Sequence, residues 1–186
     1  MSKQSGTSTS STESSIGFWL MAAAMLLLAY ALFWQKKPGI AKGKPAPAVT
    51  LTRVSDNHKA KPQLKGQVTV LHFWASWCRV CVATLQQSSR RAKRLAGKGV
   101  RYLMVNLDRP ADSAALQRFL QQRSVGKSLW PYHHWDSTYT AVKKYQVNVY
   151  PSMVIIDPKG EVAYYIQGSL PDRSLQRLLK PFGISS

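Results

Sequence analysis

Two cysteines, Cys78 and Cys81, are the only ones in the chain, and they stand three positions apart in the stretch FWASWCRVC. A short apolar run precedes them and a segment with helical periodicity follows, which places the pair at a predicted helix start. Residues three positions apart in a helical turn lie close to the Cα separation of about 5.5 Å that a disulfide favours. The pair can therefore act as a structural disulfide, as part of a metal site or as a redox reagent.

The first two of these functions fit the sequence poorly. A disulfide that closes so small a loop restrains the unfolded chain little, so it contributes little stability. A zinc site needs four ligands, normally with a second pair at similar spacing. The other candidate ligands lack such spacing, and they are His58, His72, His133 and His134. We therefore expect no metal site and no cofactor, although two thiolates suit copper(I), which stays open as a side activity.

Redox chemistry fits the position of the pair best. The first turn of a helix offers unpaired N–H groups and the positive end of the helix dipole, and both favour a thiolate at Cys78. Arg79 adds a cation beside it. We predict that Cys78 forms a mixed disulfide with a partner protein and that Cys81, one turn further along the helix, resolves it.

Strand and helix patterns alternate around the cysteine pair. The predicted elements are a strand at 67–74, a helix at 82–96, a strand at 100–107, a helix at 112–123 with Asp112 or Ser113 as its N-cap, a helix at 137–147, strands at 152–157 and 162–167, and a closing helix at 171–183. This order predicts an α/β domain with a central mixed sheet and helices on both faces. The C-terminal edge of the first long strand, where Cys78 lies, is a natural position for a site.

The formal net charge is +18, from 26 Lys and Arg against eight Asp and Glu. One dense basic cluster occurs on the predicted helix 82–96 and just beyond it, and it consists of Arg90, Arg91, Lys93, Arg94 and Lys98. No zinc-finger, helix-turn-helix or RNA-recognition pattern accompanies these residues. We therefore expect no nucleic-acid partner but a solvated basic face, directed toward anionic lipid or an acidic partner.

The N-terminal region predicts a membrane anchor. Residues 1–15 are rich in Ser and Thr and predict a disordered tail. Residues 16–34 carry no charge, and as a helix they would span about 28 Å, close to the hydrocarbon thickness of a bilayer. The alternative is a cleaved signal peptide, since residues 29–31 read Ala-Tyr-Ala, but the apolar stretch continues past that point. We favour an uncleaved transmembrane helix.

The charges around this segment leave its orientation open. Lys36, Lys37, Lys42 and Lys44 follow it, whereas Lys3 is the only basic side chain before it. Counted in this way, the positive-inside rule places the main domain in the cytoplasm, but a long domain can translocate largely regardless of its charge. Prolines and glycines among the lysines predict a semi-extended linker at 35–42.

Several motifs in order resemble one family. WASWCRVC resembles the WCxxC active site of the thioredoxin superfamily, and GKPAPAVTL, LKGQVTVLHFWASWC and VNVYPSMVIIDPKGEV together resemble its TlpA-like branch of membrane-anchored thiol:disulfide oxidoreductases. This branch serves cytochrome c maturation and copper-stress systems. The resemblance extends over 43–183 and implies a thioredoxin fold for a domain at 43–186. It further implies a single-pass protein of the bacterial inner membrane whose C-terminal domain lies in the periplasm.

The resemblance also implies partners and residue roles. The partners would be protein thiols and disulfides and a membrane or periplasmic redox protein; a non-catalytic docking or copper(I)-binding module is the alternative. Pro151 would be a cis-proline that faces the cysteines, and Tyr150 would offer backbone groups to a substrate strand. Trp77, Arg79 and Val80 would complete the substrate-binding surface.

Two positions depart from the family pattern. His72 stands where thioredoxins carry a buried acidic residue, and Thr84 stands where many TlpA-like reductases carry a glutamate. Proton removal from Cys81 therefore cannot be assigned to a carboxylate by resemblance. His72 is a candidate for this proton transfer if burial tunes its pKa, but a histidine satisfied by a backbone carbonyl is the more usual case.

Overall fold

The computed structural model describes residues 12–34, 39–108 and 113–184, with side chains for 17–30 in the first range. The chain divides into two compact units at residues 37 and 38. In the first unit, helix α1 spans Thr12–Trp34 and so begins inside the predicted tail. Among the described residues, no helix has both the length and the hydropathy required to cross a membrane. The predicted tail before residue 12 and most of the predicted linker, 35–38, lie outside the described residues.

A seven-stranded mixed sheet forms the centre of the second unit. Its strands are β1 (Leu51–Arg53), β2 (Lys59–Ala60), β3 (Thr69–Trp74), β4 (Arg101–Asn106), β5 (His133–Trp135), β6 (Ser152–Ile156) and β7 (Val162–Gln167). They lie in the order β2-β1-β5-β4-β3-β6-β7. Strands β3, β4 and β5 are parallel, and β6 and β7 continue the sheet in antiparallel pairing. The predicted mixed sheet is confirmed.

Helices connect these strands. They are α2 (Arg79–Ala83), α3 (Leu85–Ala96), α4 (Ser113–Gln122), α5 (Thr140–Lys144) and α6 (Asp172–Leu179), with 3₁₀ turns at Lys127–Tyr132 and Lys180–Phe182. On the first face of the sheet, α3, α4 and α6 bury Leu85, Leu120 and Leu175 in one hydrophobic core. On the second face, Ala141 of α5 packs in another core with Phe73. Asp112, a predicted N-cap of α4, lies outside the described residues.

Strand β3 is the most deeply buried element of the sheet, since all six of its residues are buried. Such a strand is covered on both faces and reads as a nearly continuous apolar run, which is why its sequence predicted it well. The predictions of β4, β6 and β7 are confirmed as well. Strands β1, β2 and β5 were not predicted, because two or three residues are too few to show a period.

The prediction of one continuous helix at 82–96 is wrong, because the helix is interrupted. The structure has two helices, α2 and α3, that meet at Thr84, whose backbone leaves helical geometry at φ −104° and ψ 5°. The Thr84 hydroxyl donates to the carbonyl of Val80 at 3.1 Å. A threonine that bonds back to its own helix competes with the regular backbone ladder, which explains the interruption.

The prediction of a solvated basic face is also wrong for one residue, Arg91. Arg91 is buried, with 5% of its surface exposed, and it forms an ion pair with Asp172 at the start of α6. Arg94 binds the same carboxylate at 2.7 Å. Arg90, Lys93 and Arg94 remain exposed as expected. The buried pair therefore links α3 to α6 across the first face.

We expect Asp172→Asn to reduce the free energy of unfolding by on the order of 3 kcal/mol, because it leaves the Arg91 guanidinium buried without a counter-charge. Arg91→Met is the matched control, since it removes the charge and keeps an apolar side chain of similar length. That variant should lose much less stability. Urea unfolding followed by circular dichroism measures both. Equal losses in the two variants would contradict the assigned role of the ion pair.

Candidate active site

The two cysteines form a disulfide at the start of α2, with their Cα atoms 5.2 Å apart. Cys78 is the N-cap residue of α2, and its Sγ accepts a hydrogen bond from the backbone N–H of Cys81 at 3.2 Å. Cys78 is 8% exposed and Cys81 only 3%. Cys78 is thus the more exposed residue of the pair, as predicted, and in the reduced form the N–H of Cys81 is available as a donor to its thiolate.

The loop before Cys78 is held by a carboxylate from the neighbouring strand. Asp108 follows β4, and its two carboxylate oxygens accept the backbone N–H of Ser76 at 3.0 and 3.1 Å. The backbone N–H of Cys78 in turn donates to the carbonyl of Ala75 at 3.2 Å. Asp108 therefore helps to fix the path of the chain into the cysteine pair.

Asp108 is itself held in place by two other side chains. The buried amide of Asn106 donates to its carboxylate at 3.0 Å and accepts its backbone N–H at 3.0 Å. The indole N–H of Trp135 donates to its carbonyl at 3.1 Å. The sequence analysis missed Asp108, although an acidic residue two positions after the strand that runs parallel to β3 is a signal that was available.

Three exposed apolar side chains near the disulfide, those of Trp77, Val80 and Val149, form what we call the apolar rim. Trp77 is 66% exposed, Val80 52% and Val149 40%. The rings of Trp77 and Tyr150 meet edge to face, with centroids 5.4 Å apart. Large exposed apolar side chains next to one another are typical of a surface that binds another protein. Arg79 lies exposed between Cys78 and Val80.

The Tyr150–Pro151 peptide bond is cis, as the resemblance implied. Pro151 is buried, and its carbonyl accepts the N–H of Gly168 at 2.7 Å. Ser152, the next residue, pairs with Phe73 near the end of β3 and donates its hydroxyl to the carbonyl of Val149 at 2.7 Å. These contacts place the 149–151 loop at the same edge of the sheet as the cysteines. The predicted use of the Tyr150 backbone by a client strand stays a prediction.

His72 is buried in β3, 4% exposed, and its Nδ1 lies 3.1 Å from the hydroxyl of Tyr102. Burial, with the Arg91 charge as a second cause, lowers the pKa of His72 to about 3. Burial raises the pKa of Tyr102 to about 12. The imidazole is therefore uncharged at neutral pH and a weak base. This environment favours a structural role for His72, and its predicted proton transfer stays a prediction.

A polar cavity of about 250 Å³ lies beside the cis-proline. His72, Thr84, Pro151 and Asp172 are among the residues that line it. Its described carboxylate, Asp172, is engaged by Arg91 and Arg94. The Thr84 hydroxyl donates to backbone carbonyls of α2. Because position 84 is a threonine and not the glutamate of the family pattern, its side chain is not an acid that could accept a proton from Cys81.

We expect Asp108→Ala to slow disulfide exchange and to cost about 1–2 kcal/mol of stability, because the Ser76 N–H loses its acceptor. Asp157→Ala is the matched control. Like Asp108, Asp157 holds backbone with its carboxylate: it accepts the N–H groups of Lys159 and Glu161, both at 2.9 Å, in the turn between β6 and β7. The control should lose similar stability and keep its exchange rate with dithiothreitol. Equal rates in the two variants would show that Asp108 does not position the site.

Comparison with known proteins agrees with this geometry. The chain is 24% identical over 161 residues to the thiol-disulfide oxidoreductase ResA of Geobacillus kaustophilus, a match that covers 87% of this chain and 89% of that protein. It is 29% identical over 143 residues to the thiol:disulfide interchange protein DsbE of Haemophilus influenzae, with 75% and 73% covered.

Solved structures give the same fold. The exposed lipoprotein thioredoxin Etrx1 of Streptococcus pneumoniae aligns with a TM-score of 0.61 at 25% identity, covering 73% of this chain and 99% of that one. A thioredoxin family interchange protein of Chlorobium tepidum aligns with a TM-score of 0.60 at 19% identity, covering 76% and 97%. The profile of the AhpC/TSA family matches residues 42–165, two thirds of the chain. With its thioredoxin-like sheet and its Cys-x-x-Cys pair, the chain belongs to the AhpC/TSA family.

Proposed function

We propose that this protein is a thiol-disulfide oxidoreductase that exchanges disulfides with client proteins through Cys78 and Cys81. The observation that carries the proposal is the position of Cys78 at the N-cap of α2, where its sulfur accepts the N–H of Cys81. A thiolate at a helix N-terminus is stabilised by such donors and by the helix dipole, so it is available as a nucleophile at neutral pH. The names of the ResA and DsbE relatives support the same activity.

The exchange proceeds in two displacements. In the reducing direction, the Cys78 thiolate attacks one sulfur of a client disulfide, a mixed disulfide forms, and the other client sulfur leaves as a thiolate. The Cys81 thiolate then attacks Cys78, re-forms the protein disulfide and releases the second client thiolate. The client gains the two electrons that the protein dithiol loses, and the leaving thiolates take up protons from solvent. The oxidising direction is the reverse.

The apolar rim is the surface on which the client would lie. Trp77 and Val80 flank Cys78 in the chain and Val149 lies in the cis-proline loop at the same edge of the sheet, so a client segment that contacts them is brought near Cys78. Burying these side chains on binding is favourable by about 25 cal/mol per Å² of apolar surface. Because Cys81 is almost completely buried, it reaches the mixed disulfide from within the protein rather than from solvent.

We expect Cys81→Ser to accumulate mixed disulfides with client proteins and Cys78→Ser to accumulate none, because Cys78 is the more exposed sulfur and caps α2. Non-reducing gels of whole cells, followed by reduction and mass spectrometry, measure the trapped species. The double variant is the control for non-specific capture. Trapping only in Cys78→Ser would reverse the assigned roles. Trapping in neither would favour a docking or copper(I)-binding module.

We propose further that α1 anchors the protein in the bacterial inner membrane and that the redox domain lies in the periplasm. Residues 16–34 carry no charge. The described apolar side chains of α1 include Phe18, Trp19 and Leu26, which are each 67–71% exposed in the chain by itself. Exposed apolar surface of this size is unfavourable in water and is covered in a lipid environment.

We expect an alkaline-phosphatase fusion after Gly43 to be active, because this reporter folds only outside the cytoplasm. A reporter that needs the cytoplasm should be silent at the same position. A phosphatase fusion at Ser15, before the apolar run, is the matched control and should be inactive. The opposite pattern would contradict the periplasmic location and would agree with the lysines that follow the run.

A further inference from the structure

The acidic residues in the described part of the redox domain are mostly engaged in internal contacts. Buried Asp136 accepts three backbone N–H groups at the start of α5, and Asp108 accepts that of Ser76. Asp172 binds Arg91 and Arg94 of α3. Asp136 is thus buried and Asp172 is paired with two arginines, so part-buried Asp108 is the carboxylate of these three that remains, among the described residues, without a cationic partner near the disulfide.

The remaining described acids of this domain are Asp56, in the β1–β2 hairpin at one edge of the sheet, and Asp157 and Glu161, at the end of the sheet away from the disulfide. Asp56 follows β1, whose last residue pairs with the middle of β5, and it is bound to Arg53. Asp157 and Glu161 lie in the turn after β6, where Ile156 pairs with Thr69 at the start of β3. The disulfide follows the other end of β3. Asp157 and Glu161 are therefore a full strand length from the redox site, and Asp56 follows a strand three positions from β3, whereas the part-buried carboxylates of Asp108 and Asp172 lie at the redox end in internal contacts.

Four exposed arginines lie at the redox end of the first face: Arg79, Arg90, Arg123 and Arg173. Arg79 follows Cys78 directly. The Arg90 guanidinium donates to Gln86 in the first turn of α3 at 3.4 Å. The Arg123 guanidinium lies 5.2 Å from the ring centroid of Phe119, which packs against Trp74 at the end of β3. Arg173 follows Asp172, which shares the polar cavity with Pro151. We refer to these four exposed cations, which lie on or near the elements that adjoin the disulfide, as the basic collar.

We propose that the clients of this oxidoreductase are proteins whose reacting cysteines lie in acidic surroundings, and that the basic collar selects them. The inference rests on the proposed exchange activity and adds the chemistry of its clients. A field of one sign around a reactive group attracts the opposite charge and raises the rate of encounter. The collar does this at the place where the exchange occurs.

A protein explains this surface better than a membrane does. The same end of the domain presents the apolar side chains of Trp77, Val80 and Val149 and Cys78, the more exposed residue of the disulfide. A protein client supplies carboxylates for the collar, apolar groups for the rim and a sulfur for the exchange. Lipid headgroups supply only the negative charge.

The proposal is tested by measuring exchange with charged model clients. The reduced full chain, in uncharged detergent, is mixed with symmetrical peptide disulfides in which each cysteine is flanked by Glu, by Gln or by Lys. Acid quenching and separation of the products give the rate constants. At low ionic strength the Glu peptide should react at least about tenfold faster than the Lys peptide, with the Gln peptide between them. The ratio should approach one at about 0.5 M salt.

Two double variants make the test specific to the collar. Arg90→Glu with Arg173→Glu should remove most of the preference for the Glu peptide. Lys65→Glu with Lys159→Glu makes the same change of net charge at exposed positions at the other end of the sheet, where the N–H of Gly66 donates to the carbonyl of Pro158, and it should leave the preference nearly unchanged. Both variants should react with the Gln peptide as the parent does, which shows that they are folded.

Equal rate constants for the three peptides at low salt would overturn the proposal. If the collar arginines then bound anionic vesicles, the surface would be assigned to lipid instead. A parent protein that failed to react even with the Gln peptide would contradict the proposed exchange activity itself, so the two failures are distinguishable.

Discussion

The pairing of β3 with its two neighbours is the constraint on which the site depends. Parallel β4 and antiparallel β6 bind β3 along nearly its whole length, from Thr69 to Trp74. Because of this register, the end of β3, the end of β4 and the start of β6 meet at one edge of the sheet. The cysteine loop, Asp108 and the cis-proline come from these three places. A slip of one residue would turn every side chain of β3 to the other face and separate them.

The electrostatics of the domain divide into an interior that is neutral or paired and a surface that is basic. Arg91 is buried as an ion pair with Asp172, and His72 is buried as an uncharged imidazole. An isolated charge is costly to bury, so Arg91 is paired and His72 is uncharged, while buried Asp136 accepts three backbone N–H groups. The remaining cations stay on the surface, and near the disulfide few carboxylates are left to offset them.

The sequence predicted the parts of the fold that depend on local pattern. Buried strand β3 has a continuous apolar run, and the cysteine spacing with its flanking motifs identified the redox centre. Contacts between residues distant in sequence were not predictable in this way. Asp108 binds the backbone 32 positions earlier, and Arg91 meets Asp172 only because α3 and α6 pack on the same face. The break at Thr84 was missed because its apolar spacing continues through it, whereas the cause is a side-chain hydrogen bond.

The basic collar consists only of arginines, and this determines how the charge around the disulfide responds to pH. A guanidinium keeps its proton throughout the range in which cells live, whereas an imidazole or a buried ammonium does not. The sign and strength of the collar are therefore fixed while a cysteine thiol gains or loses its proton. Client attraction and nucleophile activation are thus separable: a change of exchange rate across the pH range in which a thiol titrates reports on the sulfur rather than on the surface that surrounds it.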